Sequence, residues 1–265
     1  MEHGRKWAAL TALTLLVIAS ACASGGRATR GLKILESEGQ LKRTARMLDA
    51  RLGAIRTLRF SGTLEGEWLG QRGTYQMAGA LRWPSDLRLE VIDPAVGTVA
   101  LLLMSEGELT WYLPHEERAI RAEASARTVG RATGLPWSPS ELISLIAGLP
   151  PMEYGERYSD WWMGPDGLAI SPGENAVMSL ADGNRLPEQY IRFREPERRH
   201  VEGTVTFSDY RSVKGTLLPH ELRVELTRPR VALLLRYERF EPSVALGPAA
   251  FAVTLPEGTR VVQWR

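Results

Sequence analysis

The run Phe60-Ser61-Gly62-Thr63-Leu64-Glu65-Gly66-Glu67-Trp68 decides the architecture. Apolar or small residues alternate with polar ones at period two, the pattern of a strand with one face buried. The same period continues on both sides. After a turn at Gly70–Gly73 come Tyr75, Met77, Gly79, Leu81 and Trp83. Pro84-Ser85-Asp86 turns the chain into Leu87, Leu89 and Val91, interleaved with Arg88 and Glu90. Val99 to Met104 is apolar throughout and reads as a strand buried on both faces. Glu106-Gly107 then leads into Leu109–Leu113. Further strands are predicted at 161–162, 167–170, 175–181, 187–195, 201–210, 219–227 and 231–240, and a last short one near the C-terminus. About twelve strands with short connections and no dividing linker predict a mainly β (α+β) fold. Its centre is one large, strongly curved antiparallel sheet.

Two stretches depart from period two. Residues 31–55 read as a helix, with Leu41, Ala45, Leu48, Leu52 and Ile55 on one stripe. The strand pattern breaks again between 122 and 152. There Ser138-Pro139-Ser140-Glu141 has the form of a helix start, with a capping serine, proline at the first position and glutamate three residues after the cap. Leu142, Ile143, Leu145, Ile146 and Leu149 follow, and Gly148 and Pro150-Pro151 end the helix. A short helical insert therefore interrupts a β-meander.

The N-terminus has its own logic. Arg5 and Lys6 precede an uncharged run from Trp7 to Ala21, fifteen residues long. That is short of the roughly 20 residues of a spanning helix and suits the core of a secretory signal. The run stops at the sole cysteine. Ile18-Ala19-Ser20-Ala21-Cys22 resembles the lipobox of bacterial lipoproteins, which implies cleavage before Cys22 and acylation of that residue. Ala23 and Ser24 differ from the aspartate of an inner-membrane retention signal, which favours the outer membrane, facing the periplasm. The expected organisation is a signal peptide at 1–21, a lipidated tether at 22–30 and one domain at 31–265.

Composition narrows the function classes. The 265 residues carry 33 basic and 31 acidic groups, a formal charge of +2, which does not suit a dedicated nucleic-acid binder. The basic residues are 29 arginines and four lysines, interspersed with acids. A single cysteine rules out an intramolecular disulfide. No HExxH, CxxC, GxGxxG, GxSxG or Walker-type run is present. His115, His200 and His220 are isolated in sequence. No catalytic residue, metal site or cofactor is expected. Seven tryptophans beyond the signal, at 68, 83, 111, 137, 161, 162 and 264, could equally fill a core or line an apolar cavity.

Two local runs resemble the bacterial lipoprotein carrier and receptor superfamily, LolA/LolB-like, and most closely the LolB-type receptor. Thr133-Gly134-Leu135-Pro136 followed by Leu142, Ile143 and Ala147-Gly148-Leu149-Pro150 is similar to that receptor's "G-x-P … L-x-x-W-I-x-G-L-P" stretch, with Ser144 in place of the tryptophan. Leu87 to Val91 followed by Asp93-Pro94-Ala95-Val96-Gly97 is similar to its strand and "N-P-L-G" loop. The resemblance implies a half-barrel whose concave face is covered by the N-terminal helix and the insert. It also implies a protruding loop at Ala95 and Val96, with valine where the receptor has leucine. The implied activity is binding of acyl chains in a hydrophobic groove and help with their insertion or localisation. The implied partners are acylated lipoproteins or lipids, a periplasmic carrier, and the membrane through the anchor. A non-transporting relative acting as sensor or scaffold is the alternative. Candidate groove residues are Leu64, Trp68, Met77, Leu81, Leu89, Val91, Leu101 and Leu103, with Leu142 and Ile146 from the insert. Which strand face is concave stays open, above all for the doubly apolar strand at 99–104.

Overall fold

The period-two segments assemble into one sheet of fifteen strands. In the computed structural model the described residues are 32–33, 38–68, 71–151, 160–164, 167–171, 174–195, 197–228 and 230–265. They belong to a compact unit, Leu32–Arg265. The expected signal, Cys22 and the tether lie outside the described residues.

The first half of the sheet is a meander. It comprises β2 (Thr57–Trp68), β3 (Gln71–Arg82), β4 (Asp86–Asp93), β5 (Gly97–Ser105), β6 (Glu108–Leu113) and β7 (Arg118–Glu123). The second half is β8 (Asp160–Gly164), β9 (Gly167–Ser171), β10 (Ala176–Leu180), β11 (Pro187–Phe193), β12 (Val201–Val213), β13 (Thr216–Leu226) and β14 (Val231–Pro242). Pairing of β14 with β2 joins the halves, in register Leu235↔Leu64. At the margins stand β1 (Leu32–Lys33), beside β8, and β15 (Arg260–Gln263), parallel to β7. The sheet is not closed on itself.

Two elements depart from expectation. The predicted helix over 31–55 is shorter, α1 (Glu38–Ala54), because Leu32 and Lys33 pair with Met163 and Trp162 instead. Strand β7 carries small Ala122 at an inward position beside Ile120 and buried Ala119 on the other face, so its alternation is faint in sequence. The insert folds as α2 (Ala126–Thr133) and α3 (Pro139–Ile146). Both begin with a capping box. At α3 the Ser138 hydroxyl accepts from the Glu141 amide at 3.3 Å, and Glu141 Oε2 accepts from the Ser138 amide at 2.7 Å.

One hydrophobic core lies between the inner face of the sheet and the three helices. The outer face carries cross-strand ion pairs, such as Arg236 with Glu65 and with Glu221. A smaller apolar cluster of Ala80, Leu103 and Phe251 also sits there. Phe251 belongs to a strap, residues 243–259, that runs from β14 to β15. Arg82 stacks over the Phe251 ring at 4.9 Å, and Arg88 Nη1 donates to the Ala252 carbonyl at 2.7 Å.

Sheet curvature leaves its mark at Gly62. A Cβ there would stand 1.9 Å from the Arg236 carbonyl oxygen, beside the bulge at Tyr237/Arg239. Only backbone opposes it, so nothing can rotate away. Gly62→Ala is expected to cost about 2 kcal/mol or more in urea unfolding. Gly53→Ala, in α1 with nothing within 4 Å, is expected to stabilise by about 0.5–1 kcal/mol.

Candidate functional site

Inward side chains of the central strands and the underside of the insert leave a cavity of ≈ 50 Å³. Its floor is Leu64, Met77, Leu89, Val91, Leu102, Val224, Leu233 and Leu235. Its roof is Thr133, Leu135, Leu142, Leu145 and Ile146. The wall presents no polar surface. The Thr133 hydroxyl is already engaged, donating to the Val129 carbonyl at 2.8 Å and accepting from the Leu135 amide at 3.1 Å. Such a site can hold alkyl groups and offers nothing to a polar one.

Of the candidate groove residues, the structure brings together Leu64, Met77, Leu89, Val91, Leu142 and Ile146 around this cavity. Leu81 is buried in the same core but does not reach the cavity. Leu101 and Leu103 stand on the outer face, and Leu102 takes the inward place between them. The parity follows from register: Leu102 pairs with inward Leu89, whereas Leu101 and Leu103 pair with Glu90 and Arg88. Leu103 is covered by the strap, which is why the outer face of β5 is apolar as well. The side chain of Trp68 lies outside the described residues. Leu102, Thr133, Leu135, Leu145, Val224, Leu233 and Leu235 complete the cavity. Alternation marks Val224, Leu233 and Leu235 as buried, but sequence does not say which strands face the insert.

The β4–β5 loop projects as a tight turn. Asp93 Oδ1 accepts from the Ala95 amide at 2.8 Å, and Ala95 and Val96 are exposed at the tip. Among the tryptophans, Trp111 and Trp137 are buried, and Trp83 and Trp264 pack against the core from its margin. The three histidines fall on separate elements. His115 is exposed after β6, His200 pairs with Glu195 beyond β11, and His220 is buried in β13 with Nδ1 3.2 Å from the Leu218 carbonyl oxygen.

Three polar contacts fasten the insert over the cavity. The Tyr237 hydroxyl donates to the Ile146 carbonyl at 2.8 Å. Burial pushes its phenol pKa far up, so it remains a donor. Trp83 Nε1 donates to Ser144 Oγ at 3.3 Å, which gives a task to the serine that stands where the resembled motif has tryptophan. Arg192 Nη1 donates to the buried Glu141 Oε1 at 2.6 Å, and Arg192 Nε lies 3.1 Å from Glu202 Oε2. Burial works against the Arg192 charge, yet hydrogen bonding and attraction from Glu141, with help from Glu202, leave its pKa raised.

No protein-family model matches the sequence, and no curated protein matches it. Solved structures do share the fold. A domain from Vibrio parahaemolyticus described as an outer membrane lipoprotein-sorting protein superposes with a TM-score of 0.56 at 15% identity, covering 79% of this chain and 94% of its own. A DUF1329 family protein from Desulfovibrio piger gives 0.53 at 16%, covering 79% and 95%. A LolA superfamily protein from Nitrosomonas europaea gives 0.52 at 13%, covering 79% and 97%. The chain thus has the fold of LolA-superfamily structures, a curved open sheet with a helical insert.

Glu141 serves two masters, the α3 cap and Arg192. Glu141→Gln is expected to lower stability by about 1–3 kcal/mol in urea unfolding. Combined with Arg192→Met, the loss is expected to be smaller than the sum of the two single effects.

Proposed function

We propose that this chain is an envelope lipoprotein, anchored through Cys22 in the outer membrane, whose half-barrel takes up acyl chains of lipoproteins or lipids and assists their insertion or localisation. The observation that carries the reading is the wholly apolar cavity under an insert that is a separate piece of chain rather than part of the sheet. A solved structure of the same fold, described as an outer membrane lipoprotein-sorting protein domain, adds support.

At ≈ 50 Å³ the cavity is closed to any acyl chain, because ligand pockets run to roughly 300–1,000 Å³. Uptake therefore requires the insert to move. The insert buries Val129, Leu135, Trp137, Leu142, Ile143, Leu145, Ile146 and Leu149. At about 1.5–3 kcal/mol for each, exposing all of them costs at most about 12–24 kcal/mol. One sixteen-carbon chain returns about 12 kcal/mol at about 0.8 per methylene. A single fatty acid offsets only the low end of that range, whereas a cargo with two or three chains offsets all of it. The substrate class this favours is a multiply acylated lipoprotein N-terminus.

A second reading has an observation of its own. The small cavity is also what a filled core looks like, which suits a non-transporting sensor or scaffold of the same fold. Titration of a form beginning at Ala23 with a fluorescent acyl probe, competed by a triacylated peptide, separates the two. Transport predicts saturable binding, with the peptide displacing the probe far better than palmitate does. Arg192→Met, which removes the fastening of Glu141, is expected to raise probe affinity several-fold by making the open state cheaper. Absence of binding by folded protein supports the sensor or scaffold.

A further inference from the structure

The two ends of the half-barrel differ. Strands β2, β4, β6, β11 and β13 finish at one end, where β3, β5, β7, β12 and β14 begin. Four large apolar side chains are exposed among the described residues, and three stand at this end: Val96 at 59%, Val201 at 43% and Val261 at 46%. Val96 is on the β4–β5 tip, Val201 starts β12, and Val261 pairs with Ala119 near the start of β7. Leu217, the fourth, opens β13 at the opposite end.

Arginines gather on two adjacent turns of the same end. The β11–β12 turn carries Arg194, Arg198 and Arg199, and the β13–β14 turn carries Arg228 and Arg230. The turns are tied together, since the Thr227 amide donates to the Glu202 carbonyl at 3.0 Å and its hydroxyl to the Val201 carbonyl at 2.9 Å. Their acids are Glu195, already held by His200, and Glu197. Arg198 is bound to Ser171. The other four guanidinium groups are exposed and pair with no acid among the described residues.

We propose that this end docks on an anionic bilayer, with Arg194, Arg199, Arg228 and Arg230 on lipid phosphates and Val96 and Val201 in the headgroup boundary. Isolated valines on separate turns offer no contiguous patch of the kind a protein partner needs. Paired with free guanidinium groups, they match a surface that is anionic above and apolar beneath. The closed cavity lies near the same end. Its floor residue Leu233 lies three residues past Arg230, and a Cβ on Gly134, at the edge of the roof, would stand 3.9 Å from Val231.

The test is sedimentation of the unit Leu32–Arg265, free of signal and anchor, with vesicles. Binding is expected to phosphatidylcholine vesicles containing about one-third phosphatidylglycerol and not to pure phosphatidylcholine, and to weaken in about 1 M salt. Arg228→Glu with Arg230→Glu is expected to lower partitioning roughly thirtyfold or more. Val96→Ser with Val201→Ser lowers it several-fold and leaves the salt dependence in place. Arg56→Glu with Leu217→Ser, at the opposite end, leaves binding unchanged. Equal binding to both vesicles, no binding by folded protein, or wild-type binding by the arginine variant overturns the proposal. A protein-docking surface is then the reading left for this end. Acyl-probe binding is measured on the same arginine variant and is expected to be unchanged. Absence of acyl-probe binding by wild-type protein that does bind anionic vesicles overturns uptake and leaves docking standing.

Discussion

Everything in this molecule follows from an open sheet with an apolar concave face. A closed barrel fills its interior from its own strands, and a sandwich covers each sheet with the other. A half-barrel can do neither. Its inner face must be covered by other chain, and here that chain is the insert together with α1. Glu141 to Pro151 is buried without interruption, although α3 is only eight residues long. A helix buried all round is not a surface helix that happens to pack, but core delivered from outside the sheet.

That arrangement accounts for three polar groups in the core. Glu141, Ser144 and Tyr237 lie at or near the insert, and each is hydrogen-bonded across it. Apolar contact alone would hold the insert down without fixing its position, since dispersion and hydrophobic burial are not directional. Three directional bonds at separate points define one seated pose. They involve strands from both halves of the sheet, β11 through Arg192, β14 through Tyr237 and the end of β3 through Trp83. Seating the insert therefore also fixes the curvature across the β14–β2 junction.

Much of this was legible in the residues. Period two located most strands, and Ser138-Pro139-Ser140-Glu141 marked the start of α3 to the residue, because capping chemistry is local. What was not legible was non-local. Leu101 and Leu103 are as apolar as Leu102, and the strap, with Phe251 148 positions after Leu103, explains why Leu103 on the outer side of β5 is buried too. Leu32 and Lys33 carry no strand signal of their own and are recruited by the margin of β8. The arginine turns look like scattered charge in sequence. They become neighbours only when β12 and β13 pair, Gly203 with Leu226.

The ends of the sheet then acquire different meanings from the same topology. Turns joining antiparallel strands alternate between two ends, and the alternation changes parity across the insert between β7 and β8, so even-numbered strands of the first half and odd-numbered strands of the second finish at the same end. Val96 and Arg228 lie more than a hundred residues apart, and both follow a strand that runs the same way. The roof of the cavity is anchored by Glu141 toward this end and by Ser144 and Ile146 toward the other. Lifting the Glu141 side first opens a path beside Val231, between the two arginine turns and the β4–β5 tip. Lifting the other side exposes Trp83 and the buried residues around Pro219 and Phe240, where Gly148 packs closely. The first route breaks one partly exposed ion pair, and Arg192 keeps Glu202 as a partner while it is broken. The second must break the buried Tyr237 bond, with no replacement for the Ile146 carbonyl. Opening is therefore cheaper at the arginine-bearing end, and under the proposed uptake of acyl chains that is the end at which a chain would enter or leave.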